Sequence, residues 1–291
     1  MPVDDAQRLM AGLAEGKGND TPGSVRHGKR SLLNGAVVTQ HEAGTGFFGE
    51  YADVYAEAPY LDFTEDVSKK LPHLISHYRA GSGSLLDLGC GTGTLLIALA
   101  GSFGRLTGVD QSADMLRHAD TAARKAGVAV DLIRGDLRDY RGDRRHSVVT
   151  CTYNTVNYLV GAGDLELAAR TLRAATEDGG LAVLDAHPAW FVERAWAGKV
   201  FVEQNTEDIL EVWENPYDAA TGRVDTTVTV VRRTPEGGWR RVHETHPQRG
   251  HDPEAVTGAL LAAGFTSVDT YAGLDREPLR EDTRRVWYVA R

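Results

Sequence analysis

The sequence predicts an α/β fold: a doubly wound, mostly parallel sheet with helices on both faces, and an antiparallel strand-rich cover inserted late in the chain. Three observations predict it. From Leu85 to Leu184, short apolar runs alternate with amphipathic segments, the pattern of repeated βα units. Gly89, Gly91 and Gly93 crowd the first strand-to-helix junction. After about residue 190 the alternation stops, and β-rich runs joined by Thr234-Pro235-Glu236-Gly237-Gly238 read as a hairpin.

Residues 1–46 are set apart as an N-terminal arm, mobile, dimer-contacting or folded as a flap over the site. Within it Asp5 to Ala14 suits an amphipathic helix with Leu9, Met10 and Leu13 on one face, and 16–24 reads as a loop. Residues 47–291 read as one domain. Helices are expected over Phe47 to Tyr60 and Asp66 to Tyr78, and strands at Leu85 to Leu88, Arg105 to Asp110, Val130 to Ile133, Val148 to Thr152 and Leu181 to Leu184. Ala113 to Ala126 and Leu165 to Ala175 are the intervening helices, and Gly179-Gly180 reads as a turn. Residues 191–250 form the cover, with strands at Ile209 to Trp213, Val224 to Arg233 and Trp239 to Thr245. A helix over Pro253 to Ala263 and strands Phe265 to Tyr271 and Val286 to Ala290 complete the chain.

Three of the strand ends carry chemistry. After Leu85-Leu86-Asp87-Leu88, alternate glycines at 89, 91 and 93 let the backbone turn sharply and approach a ligand with no Cβ in the way. The helix amides that follow can face a polar group. Asp110 closes the next strand, where a carboxylate can accept both hydroxyls of a ribose. Asp136, in Gly135-Asp136-Leu137, closes the third and can accept from an adenine amino group.

The order Asp-x-Gly-Cys-Gly-Thr-Gly, then Gly-Val-Asp, then Gly-Asp-Leu resembles the class I S-adenosylmethionine-dependent methyltransferases, which share a Rossmann-like sheet. The strand-rich cover resembles small-molecule members, sugar-amine and glycine-type N-methyltransferases among them. The resemblance implies S-adenosylmethionine as cofactor and S-adenosylhomocysteine as product. It implies cofactor contacts from Asp87, Gly89, Gly91, Gly93, Asp110, Gln111, Met115, Asp136 and Leu137, with Tyr153 and Asn154 at the mouth of the fourth strand. It favours N-methylation of a small organic acceptor in specialised metabolism, with methylation of carbon (an indole, for instance) or of oxygen as the alternatives.

The sulfonium is already an activated donor, so the protein has to position an acceptor about 3 Å from the methyl carbon and remove a proton where the acceptor needs it. His187, in Asp185-Ala186-His187-Pro188, is the first candidate, because imidazole titrates near neutrality. Tyr158 is the second; related N-methyltransferases can carry a histidine there, so that base does not transfer. Tyr51 is the third, with Tyr55 on the same helical face. Tyr55, Asn157, Trp213 and His243 are the candidates for holding substrate, and His246 and Arg249 could anchor an anionic group. The arginine pairs at 144–145, 232–233, 240–241 and 284–285 read as solvated faces.

Composition narrows the partners. A net charge of −9 speaks against a general nucleic-acid or membrane surface. No apolar run approaches the roughly 18 residues of a membrane span. The acidic N-terminus has no signal-peptide pattern. Two cysteines, 90 and 151, lack metal-type spacing, which suits a reduced cytoplasmic setting, no bound metal, and a monomer or homodimer. A nicotinamide dehydrogenase could use a similar glycine turn, but the Gly-Asp-Leu motif and the cover favour the methyltransferase reading. A related fold acting as a cyclase, or binding cofactor without catalysis, stays open.

Overall fold

The computed structural model describes residues 31–33, 36–39, 47–57 and 61–291. The helix expected over Asp5 to Ala14 and the loop over 16–24 lie outside the described residues. Two short paired strands, β1 (Ser31–Leu33) and β2 (Ala36–Thr39), precede helices α1 (Tyr51–Glu57) and α2 (Leu61–Tyr78). The βα series follows: β3 (Leu85–Leu88), α3 (Thr94–Ala98), β4 (Leu106–Asp110), α4 (Ala113–Ala126), β5 (Asp131–Arg134), β6 (His146–Cys151), α5 (Asp164–Ala175) and β7 (Thr176–Ala186).

These strands lie parallel in the order β7-β6-β3-β4-β5, and the chain closes the sheet with β13 (Val268–Tyr271) and β14 (Val286–Ala290). β14 runs antiparallel to β7, and β13 antiparallel to β14. β3 and β6 are buried along their whole length, as expected of strands covered by helices on both faces. Sequence order runs outward in opposite directions from β3 and β6. Their carboxyl ends therefore splay α3 and the following loops apart and open a crevice, the place where such sheets take ligands.

The pair Gly179-Gly180 lies inside β7 rather than between elements. Pairing jumps from His146↔Thr176 to Val148↔Leu181, so β7 bulges, and Gly179 takes a φ of 79° within the bulge.

A second sheet occupies the late insertion. Strands β8 (Val200–Asn205), β9 (Ile209–Glu214), β10 (Tyr217–Asp218), β11 (Arg223–Arg233) and β12 (Trp239–Arg249) pair antiparallel in the order β8-β9-β11-β12, with β10 on β11. β8 is a strand the sequence reading did not place; its Val200 and Val202 are exposed at the sheet edge. β2 adds to the other edge, parallel to β12. After the sheet comes helix α6 (Pro253–Ala262).

Helix α1 joins the two sheets. Tyr51 and Val54 pack on Val228, Val230 and Val242 of the second sheet. On its other side, Asp53 pairs with Arg117 and His118 of α4. The Ser112 hydroxyl accepts the Met115 amide as the cap of α4 and donates to the Phe48 carbonyl at 2.6 Å. One side chain thus ends the entry to α1 and begins α4.

Candidate active site

The strand ends of the first sheet and the inner face of the second enclose a chamber of about 460 Å³. A smaller one of about 90 Å³ shares Tyr55, Gly89, Gly91 and Tyr153 with it.

The glycine turn is pinned from below. The amides of Gly89 and Cys90 both donate to the Val109 carbonyl, at 2.8 and 3.0 Å. Gly89 sits at φ 78°, and a Cβ there would stand 2.5 Å from Thr155 Cγ2. Gly91, at φ 53°, would meet nothing within 4 Å, because it faces the open chamber. Close approach to a ligand therefore belongs to Gly91. Gly93 lines neither chamber; its Cβ would press on Ala119 at 3.1 Å, so it serves the packing of α3 on α4 rather than ligand contact.

Asp87, 3% exposed, borders the smaller chamber and accepts from the Thr150 hydroxyl at 2.7 Å. Burial pushes its carboxyl up to about 7, with the charge of Asp110 adding to the shift and the Thr150 bond opposing it. Asp110 accepts from the Gly91 amide with one oxygen and the Ser112 amide with the other. Burial raises its pKa, and those amides hold the rise in check. Asp136 lines the far end of the chamber but is clamped by Arg138, whose Nη2 lies 2.6 Å from Oδ2. That guanidinium holds its carboxyl below the ordinary range. Gln111, Met115 and Leu137 complete this limb of the chamber.

Tyr153 and Asn154, at φ 63° and 51°, make the bend after β6. The Asn154 amide donates to Asp185 and its side-chain amide to Gln248, which ties the bend to both sheets. Tyr153 lines both chambers, with burial raising its pKa. Paired non-glycine residues in the left-handed region are strained and persist only where their surroundings fix them.

The other limb is aromatic. Phe47, Phe48, Tyr55, Tyr158, Trp196 and Trp213 line it together with Tyr51, His246 and Gln248. Tyr51 donates its hydroxyl to Glu211 at 2.6 Å, and Trp213 donates Nε1 to the same oxygen at 2.8 Å. His246, 2% exposed, lies among Phe48, Tyr51 and Tyr158 with ring centroids 4.7, 5.6 and 6.1 Å away. His246 thus faces the chamber and not solvent.

Several sequence expectations change here. His187 lines the chamber, yet its ring is spoken for. Nδ1 lies 2.6 Å from the Arg284 carbonyl, and Nε2 faces the Arg285 guanidinium at 3.2 Å. Burial and the Arg285 charge lower its pKa to about 4. The ring is neutral, with its one lone pair turned to a cation. That is a poor arrangement for taking a proton.

Asn157 is fully buried and lines neither of the two chambers: it donates to the His187 and Arg249 carbonyls and accepts from the His187 amide. It buttresses the site instead of touching substrate. His243 points away, because β12 alternates and Val242, Glu244, His246 and Gln248 share the inner face. His243 is exposed and pairs with Thr229 and Arg241 outside. Arg285, read as solvated, lines the chamber. It is bonded to Asp185 and stacked over Phe63 at 4.6 Å. Glu211 and Glu244 also escaped the sequence reading, although alternation along β9 and β12 was the signal that could have found them.

A family model described as a methyltransferase domain matches residues 85–180. A dTDP-3-amino-3,4,6-trideoxy-α-D-glucopyranose N,N-dimethyltransferase of Streptomyces venezuelae is 30% identical over 222 residues, covering 74% of this chain and 90% of that one. A dTDP-3-amino-3,6-dideoxy-α-D-glucopyranose N,N-dimethyltransferase of Streptomyces fradiae is 29% identical over 225 residues, covering 76% and 85%. Among solved structures, an S-adenosylmethionine-dependent methyltransferase of Clostridium acetobutylicum shares the fold with a TM-score of 0.76 at 21% identity, over 84% of this chain and 99% of that one.

The chain belongs to the S-adenosylmethionine-dependent methyltransferases. It is a transferase, and S-adenosylmethionine is its cofactor. The strand ends fit that group: Gly91 leaves a cradle that a Cβ would occupy, Asp87 offers a buried carboxyl toward the smaller chamber, and Asp110 lines the main chamber beside Gly91, whose amide it accepts. Among the described residues no cluster of three or more metal-type ligands forms, and no helix is long and apolar enough to cross a membrane.

Proposed function

We propose that the enzyme N-methylates a small-molecule amine, with amino sugars of specialised metabolism as the leading substrate class. The observation that carries this reading is the two-limbed chamber. One limb is formed by the strand ends with Gly91, Asp110 and Asp136, and the other by the aromatic inner face of the second sheet. Tyr153 and Tyr158 stand where they meet. The relatives from two Streptomyces species, both named as amino-sugar N,N-dimethyltransferases, support nitrogen as the acceptor atom.

Bound there, S-adenosylmethionine supplies an electrophilic methyl on a sulfonium that leaves as a neutral thioether. Asp87 would take the ammonium of its amino-acid end, and Asp110 the ribose hydroxyls on lone pairs left beside its two amide bonds. Leu137 and Met115 would flank the adenine, with Asp136 held in place by Arg138. Residues 191–250 act as the substrate cover of a single domain over 47–291, with 1–46 as an arm. The substrate is small and the setting cytoplasmic, and the net charge of −9 gives nucleic acid no role.

The aromatic limb also suits a flat ring such as an indole, which would accept the methyl on carbon. Incubation with methyl-labelled S-adenosylmethionine and a panel of dTDP-amino sugars, free amino sugars, amino acids, indoles and phenols, read by mass spectrometry, tests the reading. Label on an amine nitrogen is expected. Label confined to carbon or oxygen would overturn the choice of acceptor atom.

A further inference from the structure

The aromatic limb holds a line of three polar side chains that the cofactor's needs do not explain. The Tyr158 hydroxyl stands 3.3 Å from His246 Nδ1. On the far side of the ring, His246 Nε2 is buried, without a hydrogen-bond partner among the described residues, 3.5 Å from Glu244 Oε2. Glu244 is itself fixed, accepting the Tyr51 amide at 2.9 Å and the Gly49 amide at 3.4 Å ahead of α1. Resting on the N-methylation reading above, we propose that Tyr158, His246 and Glu244 form a proton relay, with His246 receiving the proton that leaves the acceptor nitrogen.

The assignment of roles follows from the surroundings. Burial pushes the Tyr158 phenol well above its usual value, so it does not act as a standing tyrosinate. It can pass a proton on only as it receives one. Burial pushes the Glu244 carboxyl up, but the His246 ring and the two amides bring it net below its ordinary range. A carboxylate at that distance favours the proton on Nε2, which leaves the Nδ1 lone pair facing the Tyr158 hydroxyl. Catalytic contacts are often long before substrate binds and tighten in the complex. The titratable groups facing the His246 ring are Glu244 on its own strand, Tyr158 from the turn after β6, and Tyr51 from α1.

The protons and electrons balance. An acceptor arriving as an ammonium gives one N–H proton to the Tyr158 oxygen while the Tyr158 proton moves to His246 Nδ1. Glu244 then faces an imidazolium. The freed nitrogen pair forms the N–C bond as the C–S bond breaks and its electrons stay on sulfur.

Two measurements on the full-length enzyme test the relay. The first is long-range ¹⁵N–¹H NMR of the imidazoles in the S-adenosylhomocysteine complex, with His246→Asn to assign the resonance. The Nε2-protonated tautomer is expected, and Glu244→Gln, which removes the carboxylate 3.5 Å from Nε2, should shift the ring toward the Nδ1-protonated one. A Nδ1-protonated ring, donating to Tyr158 and leaving no lone pair for the proton, would overturn the relay whatever the acceptor proves to be. The second is turnover with the amine found in the labelling panel. His246→Asn should lower kcat about 10²-fold, while S-adenosylhomocysteine affinity stays within twofold. Tyr158→Phe should show the same split. Turnover within twofold of the parent would overturn the proposal. A panel with no labelled amine would instead count against the N-methylation reading, with the NMR result still deciding the relay.

Discussion

Asp110 Oδ2 accepts the Gly91 amide at 2.9 Å, while its Oδ1 accepts the Ser112 amide at 2.8 Å. One carboxylate at the end of β4 thus holds both the glycine turn after β3 and the start of α4. A carboxylate oxygen has room for a second donor beside each amide, which is how the same side chain can also meet a ribose. Asp110→Asn tests the double role. Its NH₂ would face one of the two amide donors in either orientation. Calorimetry with S-adenosylhomocysteine should show affinity reduced tenfold or more, with stability lowered by about 1–3 kcal/mol. Unchanged affinity would show that Asp110 only shapes the turn.

Much of this arrangement was legible in the residues. The glycines and the three strand-end acids are local signals, because a turn with a ligand against it restricts residue type at fixed spacing. The hairpin of β11 and β12 was equally visible from its connecting turn. What could not be read is what depends on distant partners. His187 looks like a free base until Arg284 and Arg285, nearly a hundred residues on, are placed against it. His243 and His246 have the same chemistry and differ only in which face of β12 they occupy. The face is set by register against β11, with Thr226 opposite His246 and Thr229 opposite His243. Asn157 looks polar and available, and is consumed by two backbone segments.

Asp87 predicts coupling between cofactor binding and protons. Its carboxyl is raised to about 7 by burial, with Asp110 adding to the shift. Between about pH 4 and 7 the folded chain therefore carries a proton that the unfolded chain has lost. In that window, stability of the cofactor-free enzyme falls as pH rises. A cation placed beside Asp87 reverses the preference, so binding near pH 6.5 should release a proton. Titrating S-adenosylhomocysteine in buffers of different ionisation enthalpy counts it. Asp87→Asn should abolish the release and weaken binding at least tenfold. The same proton count in that variant would move the effect to another group.

The buried histidines predict the acid limit of the fold. His187 and His251 are both lowered to about 4, first by burial and then by the charges of Arg285 and Arg249 respectively. The unfolded rings take up protons near 6.5, so the stability they confer is complete above that pH and lost as pH falls toward 4. Each contributes up to ~3 kcal/mol over that range. Urea unfolding at pH 7.5, 6.0 and 5.0 should show a steep loss, and the double variant His187→Gln/His251→Gln a shallower one. Parallel slopes in the two proteins would show that other groups set the acid limit.

Glu211 predicts how the aromatic limb keeps its shape. It is fully buried and, among the described residues, accepts from three neutral donors: the Tyr51 hydroxyl and Trp213 Nε1 on one oxygen, and Gln204 Nε2 on the other at 2.6 Å. Tyr51 and Trp213 both line the chamber, so a carboxylate outside it orients two of its walls. Glu211→Gln keeps the volume but replaces one acceptor with an NH₂, leaving a donor unpaired at a cost of about 1–3 kcal/mol. For a chain of this size that is a fall in Tm of about 2–4 °C for each kcal/mol. If the pairing serves the acceptor limb, KM for the amine should rise about tenfold while affinity for S-adenosylhomocysteine stays within twofold, because the strand ends proposed to hold the cofactor are on the other sheet. Equal losses in both would mean that Glu211 supports the fold as a whole. A lower Tm with KM unchanged would mean that Tyr51 and Trp213 are held by their packing alone.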